Sequence, residues 1–208
     1  MPNAKPSSAK SHQATQTRDA IVGVCLRLFA ERGFSSTSVD EIARTAGITK
    51  GAIYWHFANK DALFTGILTL IRDVWTHTIL RPMAEDASPR RRLETLFENY
   101  ERLFVEDPHV CLFLHRVLLE ADERFASQVD AVFEQSASMI ARVIDEGVRT
   151  GDFRQDVDGP ALARLIVSSL TGAHIQAKYS KGVRMHLLLG ELREAVLLHA
   201  TLRRVGAA

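Results

Sequence analysis

Long apolar runs are absent from this 208-residue chain. None approaches the ~20 consecutive apolar residues that a membrane-crossing helix needs. The opening residues lack the apolar core of a secretory signal. A cytoplasmic location with no membrane partner is therefore expected. Cysteine is nearly absent too, and Cys25 and Cys111 have neither CxxC nor metal-ligand spacing. Cys25 falls within a helical apolar stripe and reads as an inert core thiol. No stretch keeps apolar and polar residues in strict alternation, so no sheet is expected. Sequence motifs for nucleophilic hydrolysis, phosphate cradling, dinucleotide binding and zinc proteolysis are all missing. The eight histidines are scattered, and paired acids such as Glu85-Asp86 and Asp122-Glu123 fall near presumed helix ends. No catalytic residue, metal or cofactor is expected.

Net charge is also small, +1, but it is unevenly spread. The first 60 residues hold eight Lys or Arg against four acids, so the remainder is mildly acidic. A basic front fits a part that meets phosphates, and an acidic back fits a body that does not.

The stretch from Ser38 to Phe57 organises the chain. Ser38 and Glu41 have the spacing of a capping box, so a helix should begin at Val39. Ile42, Ala43 and Ala46 then share one face, with Ala43 small enough for close packing. Gly47 stands where the chain must stop and reverse, which suits its tolerance of positive φ. Ile48 can plug the corner, and Thr49 can cap a second helix. Ile53 and Phe57 point inward, leaving Lys50, Gly51, Ala52, Tyr54 and His56 outward. This pattern is a helix-turn-helix whose second helix enters the DNA major groove.

Thr37-Ser38, Ile42-Ala43, Ala46-Gly47-Ile48, the run Lys50-Gly51-Ala52-Ile53-Tyr54-Trp55-His56-Phe57, Lys60 and Leu63-Phe64 together resemble the DNA-binding segment of the TetR family of bacterial repressors, above all its AcrR-like members. The likeness covers about the first third of the chain. It implies an all-α fold of about nine helices and contacts to DNA from residues matching the family's positions. Lys50 suits a phosphate or a guanine edge, Gly51 lets backbone approach, and Ala52 is a further candidate contact. Thr37, Ser38, Thr49, Tyr54, His56 and Lys60 are candidate phosphate contacts. Trp55 is expected mainly to pack.

The expected domains are a basic, mobile tail over 1–15, a DNA-binding domain over 16–62, and a ligand-binding and dimerisation body over 63–208. The helix of residues 17–32 should pack on the helix-turn-helix, with Arg18 near its start. Asn59 should cap a helix that runs to about Leu80 and is closed by Pro82. Ser88-Pro89 opens the next. A short apolar helix is expected over 110–121, a long one over 125–150, and two more over 159–178 and 185–203.

In the body, Tyr100, Phe113, His115, Phe133, His174 and Gln176 are candidates to line a pocket for a small hydrophobic effector. Ser168, Ser169 and Gly172, small residues between large aliphatics, and Leu188, Leu192 and Val196 with Leu187 on the last helix, are candidates for a dimer seam. The resemblance favours that seam over packing within one copy. The implied protein is a homodimeric repressor that reads a pseudo-palindromic double-stranded operator and is released by its effector. Control by a protein partner and a helical enzyme with an accessory DNA module are the alternatives.

Overall fold

Polar residues at the helix starts and glycines at the stops set out the chain. The computed structural model describes residues 7–85, 88–106, 109, 110, 113, 123–180 and 184–201, and every regular element among them is helical. The longer ones are α1 (Ser7–Arg32), α2 (Val39–Ala46), α3 (Lys50–His56), α4 (Lys60–Trp75), α5 (Pro89–Glu106), α6 (Ala126–Thr150), α7 (Gly159–Tyr179) and α8 (Met185–Thr201). The helix expected over 110–121 lies almost wholly outside the described residues.

Two expected boundaries move. The first helix starts at Ser7 rather than Thr17, so residues 7–15, expected as tail, continue α1. Pro82 does not close α4. After Trp75 the rod goes on through a π-turn (Thr76–Leu80) and a further helical turn (Arg81–Glu85). Proline has no amide hydrogen to donate to the preceding turn, and its ring crowds that turn in a regular α-helix. The wider π-turn just before it resets the register.

Two apolar clusters fill the interior. One joins Ile21, Cys25, Phe29, Ile42, Ile53, Phe57, Leu63, Phe64 and Ile67. The other joins Ile79, Leu80, Leu93, Leu96, Tyr100, Ile140, Ile144, Ile166, Leu170, Leu189 and Val196. α4 belongs to the DNA-side cluster as far as Ile71, and Val74, Trp75 and the continuation beyond them belong to the body. A boundary at 62/63 therefore falls inside a shared helix. Cys25 is fully buried, and burial pushes its thiol up to about 12.

Candidate nucleic-acid interface and effector cavity

The helix-turn-helix is held by its caps. Ser38 Oγ accepts from the Glu41 amide at 3.1 Å, and Thr49 Oγ1 accepts from the Ala52 amide at 3.1 Å. Gly47 takes φ 68°, and the amides of Gly47 and Ile48 donate back to carbonyls of α2. An L-residue with a side chain would be strained there. Ile42 and Ile53 are fully buried, so α3 has one fixed orientation. Asn59 Oδ1 caps α4 through the Ala62 amide at 2.8 Å.

That orientation leaves Lys50, Gly51 and Tyr54 exposed, with Ala52 and His56 half-buried. Trp55 is a correction: it is 74% exposed and meets His56 edge-on, with ring centroids 4.5 Å apart. Its neighbours Ile53 and Phe57 already fill the inward face. The helical period therefore turns Trp55 outward, beside Tyr54. Sequence reading missed it because bulk alone suggested packing. Thr37 is a second correction. It is 1% exposed, and its hydroxyl donates to the Gly33 carbonyl at 2.9 Å, so it braces the loop between α1 and α2. Lys60 is turned back onto the same loop. Its ammonium lies 4.3 Å from the Phe34 ring centroid and 3.4 Å from the Ser35 carbonyl, and burial lowers its pKa. Arg18 lies over the Phe57 ring at 5.2 Å.

The body carries a cavity of about 40 Å³ between α4, α5, α6 and α7. Ile71 and Trp75 of α4, Tyr100 of α5, Val132, Phe133 and Ser136 of α6, and Val167, Leu170, Thr171 and His174 of α7 line it. Tyr100, Phe133 and His174 are thus brought together as expected. Phe113 is not among them: it is 1% exposed in the DNA-side cluster, 5.5 Å from the Phe64 ring. Gln176 is exposed to solvent, because two helical steps beyond His174 turn it to the far side of α7. His115 lies outside the described residues. Trp75 and Thr171 were missed. The signal available for Trp75 was its place at the end of the apolar stripe on α4.

The polar groups of the wall are mostly committed. Tyr100 Oη lies 3.0 Å from the Leu170 carbonyl, to which it donates, and 2.6 Å from His174 Nδ1. A phenol has one proton, so when it goes to Leu170 the proton on His174 Nδ1 is donated to Oη. Ser136 Oγ donates to the Val132 carbonyl at 2.9 Å. Trp75, Tyr100, His174 and Phe104 form a column of rings, with neighbouring centroids 5.0 to 5.4 Å apart.

The 3-10 turn Glu123–Phe125 and the first turn of α6 touch the DNA side directly. Phe125 stacks on Phe64 at 4.1 Å and meets Phe34, in the loop before α2, edge-on at 5.6 Å. Arg124 pairs with Asp61 at 3.1 Å, and Thr65 donates to Gln128 at 3.3 Å.

Leu165 and Ser168 on α7 are exposed, while Ser169 and Gly172 are half-buried, and the four share one stripe of the helix. Leu187 and Leu198 of α8 are 54% and 50% exposed. Leu188 and Leu192 lean partly on the body core. Val196 is a correction: at 3% exposure it belongs to its own subunit's core and offers no surface to a partner.

Two family models match the chain. The tetR family of bacterial regulatory proteins matches residues 21–67, and the tetracyclin repressor-like C-terminal domain matches 89–185. The transcriptional regulator AcrR of Shigella flexneri is 55% identical over a region covering 43% of this chain and 52% of its own length. The match thus spans about half of that relative. The transcriptional repressor KstR2 of Rhodococcus jostii (strain RHA1) is 32% identical over 76% of each chain. The structure of the fatty acid degradation regulator FadR from Bacillus halodurans superposes with a TM-score of 0.77 at 19% identity, covering 94% of this chain and 97% of that one. At that identity the likeness is one of fold.

Proposed function

The chain belongs to the TetR family and is a DNA-binding transcriptional regulator; we infer that it is a homodimeric repressor whose hold on its operator is loosened by a small hydrophobic effector. The observation that carries this reading is the double allegiance of α4. Leu63, Phe64 and Ile67 are buried in the core that fixes α3, while Ile71 and Trp75 on the same helix line the cavity. Whatever widens the cavity acts on a rigid element that also positions the DNA face.

The cavity is small. Ligand pockets of ordinary size run to roughly 300–1,000 Å³, against about 40 Å³ in this structure. An effector must therefore part α4 from α6 and α7. The dimer then re-equilibrates between two spacings of its recognition helices, and only unequal affinity of the effector for the two states can drive that shift. A largely apolar cavity in this position supports effector control over control by a protein partner alone.

The proposed interface between copies is the outer face of α7 and α8. A Cβ added at Gly172 would meet nothing within 4 Å in its own chain, so nothing in one subunit demands a glycine there. Each subunit presents one α3, so two copies read two half-sites of an inverted repeat.

Selection of duplexes from a randomised pool, followed by sedimentation of the complex, tests this. Inverted half-sites bound by two copies are expected. A single asymmetric site bound by one copy would overturn the dimeric reading.

A further inference from the structure

Trp75 stands on the cavity wall, and its indole Nε1 is buried without an acceptor. Among the described residues, Asn99 Nδ2 is the other buried side-chain atom in that condition, and it does not line the cavity. Burying a donor without a partner costs folding free energy, so such a group marks a place where something is meant to bind or where strain is stored. The other polar atoms described above do not share this condition: the Tyr100–His174 pair and Ser136 Oγ have protein partners. The buried group left open on a wall residue is thus the Trp75 donor, and its complement is an acceptor. The described lining residues include no Asp, Glu, Lys or Arg. An anion brought in here would lose its water and meet only the His174 imidazole, which is already engaged with Tyr100.

Resting on the cavity as effector site, we propose that the effector is an uncharged hydrophobic molecule bearing a carbonyl-type oxygen that accepts from Trp75 Nε1–H. The apolar wall supplies affinity through burial, and the indole N–H fixes orientation and disfavours plain hydrocarbons. A site built to satisfy a polar atom discriminates against the analogue lacking it, because the protein group is then left bare.

Three probes of closely similar size isolate this contact: acetophenone, cumene and benzoate. Each has to part the helices to a similar extent, so that cost cancels in the comparison. The full-length protein, without DNA, is titrated calorimetrically with each. Acetophenone is expected to bind about tenfold more tightly than cumene, and benzoate more weakly than acetophenone. In nitrogen-resolved proton spectra the Trp75 indole proton, assigned as the one that remains in Trp55→Ala, should move downfield with acetophenone and not with cumene. Trp75→Phe should bring the ketone and the hydrocarbon to equal affinity.

Equal affinities in the native protein, or a ketone preference that survives in folded Trp75→Phe, would overturn the acceptor contact while leaving the cavity as effector site. Tighter binding of benzoate than acetophenone would overturn the uncharged class. Binding of none of the three would overturn the cavity reading and this proposal with it. The native titrations and the indole shift decide the matter if Trp75→Phe fails to fold.

Discussion

Lys50 Nζ of the recognition helix lies 2.9 Å from Asp40 Oδ2 of the helix before it. Hydrogen bonding and the charge of Asp40 raise the Lys50 pKa, so the ammonium stays charged throughout the physiological range. Both side chains are exposed, and such a pair contributes little to stability. Its consequence is for DNA: to reach a phosphate or a guanine edge, Lys50 must exchange Asp40 for the new partner.

Lys50→Ala should therefore leave the thermal midpoint nearly unchanged and weaken operator binding. If Lys50 contacts phosphate, the slope of log affinity against log salt falls by about one, with sequence preference retained. Asp40→Asn should act in the opposite direction and strengthen binding to non-operator DNA at low salt. Anisotropy titrations across a salt series measure both, and unchanged binding by both variants would remove this pair from the interface.

Tyr54 and Trp55 form an exposed aromatic edge on α3. Trp55→Ala removes almost no buried area, so its melting midpoint should match the native protein within about 2 °C. Operator affinity should nevertheless fall about tenfold, as befits loss of one or two good contacts. Tyr54→Phe, which deletes only a hydroxyl, should weaken binding by less. A large drop in the melting midpoint of Trp55→Ala would mean that the ring packs after all.

The face of α7 and α8 can be tested by charge. Leu187→Glu places a carboxylate at the centre of the proposed seam without touching the subunit core, since Leu187 is 54% exposed. Sedimentation should show a shift to monomer at micromolar concentration, with operator affinity falling in parallel. Gly172→Leu, whose Cβ would meet nothing within 4 Å in its own chain, should do the same by bulk. Dimers persisting in both variants would place the seam elsewhere.

Phe125 joins the body to the DNA side through Phe64 and Phe34. Phe125→Leu keeps an apolar residue of roughly similar bulk and should cost about 1 kcal/mol of stability. It replaces a stacked ring with a mobile chain, so coupling between the two sites should weaken. In the native protein, operator DNA and effector should lower each other's affinity by one common factor, on the order of 5–150. In Phe125→Leu that factor should approach one while each ligand alone still binds. Titrations of acetophenone with and without the selected duplex read it directly. An undiminished factor would route the coupling through α4 alone.

What the sequence by itself determined is whatever depends on near neighbours in the chain. Ser38, Gly47, Thr49 and Asn59 mark helix ends because capping is a matter of three or four residues. In the structure each caps or stops the helix it borders. The inward face of α3 was legible from Ile53 and Phe57, and the family from the run through Phe57. Where side chains go once helices meet was decided only by tertiary structure. Thr37 reads as a surface hydroxyl until the α1–α2 loop folds over it. Phe113 reads as pocket lining until Phe64 and the DNA-side cluster claim it. Trp75 reads as one more apolar residue on α4 until the crossing of four helices closes around its indole N–H. Val196 and Leu187 lie on one leucine-rich helix, and the arrangement of α8 against its neighbours sends one inward and the other to solvent. Burial and partnership are properties of packed surfaces from distant segments. Local periodicity specifies that a face is apolar, but not what covers it.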